Sequence, residues 1–180
     1  MNEKNNKSIR DLCLGHNLKD DLYDLESMID KTKYNYTEVD AISKAIDVLI
    51  KGEVIAYVNG KAEFGARALG GRSILADPRN VDTVKKINEA VKNRDFWMPF
   101  ALSILEEDVN EYIDNKKGLS SPFMSITFDT LQSQRKQVQA GIHPYDYTVR
   151  PQFVSKIHSP DYHLFISYFK ERVGVSAVLN

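Results

Sequence analysis

The chain has 180 residues, 42% of them hydrophobic, which suits one globular domain with an extra arm. Lys and Arg number 24 against 25 Asp and Glu, so a net charge of -1 offers no global field for nucleic acid or a membrane surface, and any anion site must be a local cluster. The single cysteine, Cys13, excludes an internal disulfide and a multi-cysteine zinc site and fits a reducing, cytoplasmic setting, and no run reaches the roughly 18 apolar residues of a membrane span.

Residues 1–10 are polar, unlike a signal peptide, and read as a loose tail. In 11–36, Leu18, Leu22, Leu25 and Ile29 fall at helical spacing, so a short helix is expected within an N-terminal arm over 1–36. The main domain is read as 37–180. TEVDAISKAIDVLIKG places Val39, Ile42, Ile46 and Leu49 on one helical face, with Thr37 as the cap and Gly52 as the stop. VIAYV, 54–58, is a buried strand, followed by the turn Asn59-Gly60. EFGARALGGRSILADP, 63–78, is a glycine-rich turn region. RNVDTVKKINEAVK predicts a helix with Val84, Ile87 and Val91 inward and an Asn or Asp cap. Strands are expected at 100–105, 122–129 and 151–157, with a short helix at 106–113 and a polar excursion at 131–140. Ser159-Pro160 opens a last helix to about Val173, with Leu164, Phe165, Tyr168 and Phe169 facing inward and Gly174 ending it. VSAVLN starts a final strand, and its exit is expected to be the edge of a longer domain. Irregularly interleaved helices and strands predict an α/β or α+β fold with a mixed sheet.

Three clusters hold groups capable of chemistry. In 63–78, Arg67 and Arg72 sit among Gly65, Gly70 and Gly71, and the stretch has only two acids, Glu63 and Asp77. Guanidinium forks suit phosphate or carboxylate, and glycine lets backbone approach a ligand. Two readings stand: an oxyanion cradle, or a tight turn whose arginines bond backbone carbonyls. In KNRDFWMPF, Lys92 and Arg94 end a helix beside Phe96, Trp97, Met98 and Phe100. Basic residues there also complement the helix dipole, and the aromatics also suit a core. In HPYDYTVRPQ, His143, Asp146, Thr148, Arg150 and Gln152 crowd polar groups between two strands. His143 and Asp146 alone make no metal site, whereas an arginine in a strand pattern needs a partner. No phosphate-loop or dinucleotide fingerprint occurs.

The strings GEVIAYVNGKAEFGARALGGRSILADPR, INEAVKNRDFWMPFALSIL, SPFM and HPYDYTVRPQ, in that order, resemble the C-terminal domain of the O-carbamoyltransferases, a family that includes nodulation-factor and antibiotic carbamoyltransferases. The resemblance covers roughly 46–180, and arguably starts from the LGH at 14–16. It implies a YrdC/Sua5-like fold, a twisted mixed sheet flanked by helices. It also implies that ATP, with magnesium as its counter-ion, and carbamoyl phosphate form carbamoyl-adenylate on a basic face. A separate N-terminal Kae1-like domain, in the same or another chain, would hold the family's metal and pass the carbamoyl group to a hydroxyl acceptor. On that resemblance, Arg67, Lys92 and Arg150 carry the chemistry. Arg72, Ser73, Arg94, His143, Asp146, Thr148 and Gln152 join them in binding.

The match is incomplete. Met98 stands where many members have a ligand-contacting arginine. The spacing from His143 to Asp146 is one residue longer than usual, and a serine of the family pattern would follow Asn180. Weak ligand binding without transfer is therefore expected. The alternative is a noncatalytic nucleotide- or RNA-binding, or regulatory, module of the same fold. The near-zero net charge disfavours nucleic acid.

Overall fold

The computed structural model describes residues 12–18, 27–35, 40–89, 95 and 98–180. The helix expected over 18–29 falls largely outside them, as does the boundary between 36 and 37. Helix α1 spans Ala41–Ile50 and buries Ile46 and Leu49. Its cap is Asp40, whose carboxylate accepts from the Ser43 amide at 3.3 Å, while Thr37 and Val39 lie outside the described residues. Gly52 ends the turn at φ +80.

Strand β1, Ile55–Val58, pairs antiparallel with β2, Arg72–Leu75; expected to be buried, β1 instead alternates half-buried Ile55 and Tyr57 with exposed Ala56 and Val58, because only one face meets the core. The latter half of the glycine-rich stretch is thus a strand, not a turn, because Ile74 and Leu75 continue an alternating pattern. Helix α2 covers Asp82–Ile87, a π turn follows at 88–89, and the rest of its sequence pattern, Val91 included, lies outside the described residues. Asn80 Oδ1 accepts from the Asp82 amide at 3.0 Å at its start. Strand β3, Leu102–Leu105, is buried throughout. A 3-10 turn at Glu106–Asp108 leads into α3, Val109–Tyr112. The strand expected at 122–129 is reduced to β4, Phe128–Asp129. Met124 takes φ +54, which no strand residue adopts. The polar excursion is a pair of 3-10 turns, Gln132–Gln137 and Gln139–Gly141. Then come β5, Thr148–Val149, and β6, Gln152–Val154.

Helix α4, Pro160–Val173, ends at Gly174 with φ +75, and β7 is Ala177–Leu179. Tyr162, Phe165, Ile166 and Phe169 form the inward face of α4, whereas Leu164 and Tyr168 are exposed. The stripe starts two residues earlier than expected, because the i, i+3, i+4, i+7 row from Tyr162 is the one that meets the sheet.

The fold is α+β. A three-stranded mixed sheet, β6-β3-β7, has β3 parallel to β6 and antiparallel to β7. An Ala76–Leu179 bridge ties the β1–β2 pair to it, and β4–β5 form a separate ladder. Leu102, Ile104, Phe165, Phe169 and Leu179 are fully buried at the centre. Each such side chain contributes about 1.5–3 kcal/mol of burial. No helix among the described residues is long and apolar enough to cross a membrane.

Candidate functional site

The glycine-rich loop is tied from within. Glu63 Oε1 accepts from the amides of Leu69 at 2.7 Å, Gly71 at 2.6 Å and Arg72 at 3.2 Å. Burial pushes the Glu63 carboxyl up, but these backbone donors outweigh it and hold it below its ordinary range. The other acid of the stretch, Asp77, is held by Arg79 through Nε at 3.0 Å and Nη2 at 2.6 Å. Neither acid pairs with the guanidinium of Arg67 or Arg72.

The two arginines differ. Arg72 Nη1 donates to the carbonyls of Gly71 at 2.8 Å, Asn59 at 3.2 Å and Gly60 at 3.3 Å. Its guanidinium closes the turn between β1 and the loop, the bland alternative foreseen for this stretch. Arg67 stands exposed on the loop crest.

A buried polar floor lies beneath the loop. Gln152 donates through Nε2 to Leu69 O at 2.9 Å and accepts from Ser103 Oγ at 2.9 Å. Asn180 Nδ2 donates to Ala68 O at 3.2 Å. Ser73 Oγ accepts from the Gly70 amide at 3.0 Å. Ser73 and Gln152 were expected on the ligand face; both are buried and support the loop from below instead. Gly70 is required for a related reason: φ is +102, and an added Cβ would lie 2.3 Å from the Tyr162 ring. The glycine serves packing against Tyr162 rather than approach to a ligand.

A second segment supplies the opposing wall. From His143 to Thr148 the chain makes a tight turn, with the His143 amide bonded to Thr148 O at 2.8 Å and the Tyr147 amide to His143 O at 3.0 Å. Asp146 Oδ1 accepts from the Thr148 amide at 3.0 Å and from its hydroxyl at 2.8 Å. Those two bonds, with His143 adding to them, hold its carboxyl below the ordinary range. His143 Nδ1 lies 3.1 Å from the same oxygen but out of line for a hydrogen bond. Asp146, expected on the ligand, shapes the turn. His143, Thr148 and Arg150 line a cleft of about 230 Å³ closed by Pro99, Phe100 and Thr127.

Arg150 projects exposed just beyond β5. Partial burial and the positive charge of Arg67 both disfavour its protonated form, so the two guanidiniums, distant in sequence, share one field. Arginine stays charged regardless. Among the described residues neither has an ion pair. Lys92 and Arg94 lie outside the described residues. Met98 is half-buried, its carbonyl held by Asn88 Nδ2 at 2.9 Å beside the cleft wall at Pro99. No group of three or more His, Cys, Asp or Glu side chains suited to a metal occurs among the described residues.

Sequence reasoning missed the roles of Glu63 and Asn180 and the docking of the arm beside the loop. Residues 12–18 run beside 60–64, with Gly15 N to Ala62 O at 2.9 Å, Ala62 N to His16 O at 3.1 Å and Phe64 N to Leu12 O at 2.8 Å. Glu63 had a signal: a lone acid ahead of a glycine-rich run of backbone donors.

The family model for the carbamoyltransferase C-terminus matches residues 46–180. Nodulation protein NolNO of Sinorhizobium fredii is 42% identical over 142 residues, 78% of this chain and 21% of that protein. Nodulation protein NolO of Bradyrhizobium diazoefficiens is 41% identical over 142 residues, covering 78% and 26%. The 3'-hydroxymethylcephem-O-carbamoyltransferase of Amycolatopsis lactamdurans is 31% identical over 135 residues, covering 73% and 24%. The chain thus spans about a quarter of the length of these relatives. With the glycine-rich loop, the His143–Arg150 wall and the sheet beneath them all inside the matched region, the chain belongs to the carbamoyltransferase C-terminus family.

Proposed function

We propose that this chain is the nucleotide-handling part of an O-carbamoyltransferase, binding ATP with its magnesium and carbamoyl phosphate, and supporting formation of carbamoyl-adenylate. The observation that carries the reading is the pair Arg67 and Arg150, both exposed, near enough for the charge of Arg67 to act on Arg150, and neither in an ion pair among the described residues. Two guanidiniums facing one place favour a polyanion and stabilise charge that builds on phosphoryl oxygens, without proton transfer. Water, ATP and carbamoyl phosphate would give carbamoyl-adenylate, phosphate and pyrophosphate, so every group the arginines meet is anionic. His143 and Thr148 offer donors in the adjoining cleft. Lys92 and Arg94 would add positive charge. Transfer to a hydroxyl of a sugar-containing or other small acceptor falls to a separate Kae1-like domain, in a cytoplasmic setting. One relative carries a hydroxymethyl acceptor in its name.

Calorimetric titration of the chain with Mg-ATP, carbamoyl phosphate and a short duplex RNA tests this. Both small ligands should bind at millimolar concentration or below, and RNA should not. Silence from both small ligands, with the fold intact, sinks the reading. RNA binding that falls steeply with salt would favour the nucleic-acid alternative.

A further inference from the structure

A cleft of about 590 Å³ opens on the far side of Pro99 from the His143–Arg150 cleft. Its size falls within the range of small-molecule sites. Val84 of α2, Ala140, Ile142, Pro99 and the Tyr147 ring make its walls predominantly apolar. The polar groups at its edge are mostly cationic: Lys85, Arg135 and Lys136, against Asp82. Lys85 is 4.0 Å from Glu89, but among the described residues Arg135 and Lys136 have no ion pair.

Arg135 is held in place. Its guanidinium carbon lies 4.2 Å from the centroid of the Tyr147 ring, a cation–π distance. Its Nε is buried with no hydrogen-bond acceptor, a donor that folded chains normally satisfy. Tyr147 is fixed as well, at φ +59, a conformation bulky residues rarely adopt. The His143 carbonyl anchors its amide, and Thr130 Oγ1 donates to its carbonyl. A rigid aromatic wall, an apolar floor and an unsatisfied cationic donor therefore converge at one place.

We propose that this cleft is a second small-molecule site, separate from the Arg67–Arg150 pair, for a flat apolar anion: an aromatic body bearing one carboxylate or phosphate. The ring packs between Ile142, Val84 and Tyr147, and the anion meets Arg135 and Lys136. Charge complementarity selects this occupant, since a neutral ring leaves Arg135 and Lys136, which have no ion pair among the described residues, without an anion. The site shares Pro99 and the 143–148 turn with the first cleft, so occupancy would stiffen the turn that carries His143 and Thr148.

The test is a nuclear magnetic resonance titration of the whole chain with 2-naphthyl phosphate, 2-naphthol and inorganic phosphate, read at the methyls of Val84, Ala140 and Ile142. Naphthyl phosphate should shift those methyls and bind about tenfold more tightly than naphthol, the gain of one charge-assisted contact. Excess inorganic phosphate and Arg67→Ala should leave that binding in place, whereas Arg135→Gln should remove the tenfold preference. Equal affinity for naphthol and naphthyl phosphate in the unmodified chain would overturn the proposal, as would silent methyls. Loss of binding in Arg67→Ala would overturn it too, placing the ligand at the arginine pair instead.

Discussion

The amide of Gly71 donates to Glu63 Oε1 at 2.6 Å, and the amides of Leu69 and Arg72 converge on the same oxygen. The glycine-rich loop is thus wound around an anion supplied by its own chain. That contact leaves Arg67 with no acid inside the loop and fixes the crest on which it stands.

Glu63→Ala should loosen the loop and cost about 2 kcal/mol, since donors to a charged acceptor lose their partner. Glu63→Gln keeps an amide oxygen for the same three donors and should cost less. Because the folded-state carboxyl lies below its ordinary value of 4.5, its stabilisation is complete above the unfolded value and is lost as pH falls through the folded one. Urea unfolding of the native chain and Glu63→Gln should therefore diverge above about pH 5 and converge in acid. Parallel curves across that range would remove Glu63 from this role.

Gly70→Ala and Gly65→Ala should separate packing from backbone strain. Both positions have positive φ, +102 and +117, but only at Gly70 would the new methyl meet a ring, at 2.3 Å. Gly65→Ala should cost about 1–2 kcal/mol from backbone strain, and Gly70→Ala should cost about 1–3 kcal/mol more. Equal losses by thermal or urea unfolding would show that Tyr162 yields freely.

Arg67→Ala and Arg150→Ala should leave stability within about 0.5 kcal/mol of the parent, because each is exposed and each is relieved of a like charge. Under the proposed function, each should weaken binding of Mg-ATP at least about tenfold, the value of a charge-assisted contact. Arg72→Ala is the control: its Nη1 bonds three carbonyls, so its effect should appear in unfolding as well as in binding. Unfolding of the Arg67 variant alone would argue that this residue is structural.

Periodicity made α1, β1 and α4 legible, because their apolar spacing follows from burial on one side. Of the four α4 residues read as inward, Phe165 and Phe169 are buried, whereas Leu164 and Tyr168 are exposed: their own row continues with Ser167 and Glu171, and the sheet takes the row of Tyr162 instead. The alternation over 122–129 predicts a longer strand than β4, because Met124 turns left-handed and breaks it. Within the site, Arg67 stands out in a stretch with only two acids, and Arg150 as an arginine in a strand pattern. Ser73, Asp146 and Gln152 resembled ligand residues by type, yet the sequence carries no sign of which way they point. Their roles depend on contacts with Gly70, Thr148, Ser103 and Leu69 that exist only once β2, β5 and β6 are assembled.

Gln152 offers a direct test of that distinction. Its amide is buried, with Nε2 on Leu69 O and Oε1 receiving Ser103 Oγ. Gln152→Leu keeps the volume but leaves the Leu69 carbonyl and the Ser103 hydroxyl without this partner in a dry place. The cost should be about 2–4 kcal/mol, from the Leu69 carbonyl and the Ser103 O–H donor that lose their partner, while the Ser103 oxygen still accepts from Asn180 Nδ2 at 3.2 Å. Gln152→Leu/Ser103→Ala removes the hydroxyl as well and should recover part of that loss, about 1 kcal/mol, since coupled neighbours are not additive. If Gln152 acted on ligand instead, Gln152→Leu would unfold at the parental urea concentration, lose only Mg-ATP affinity, and gain nothing from the second substitution.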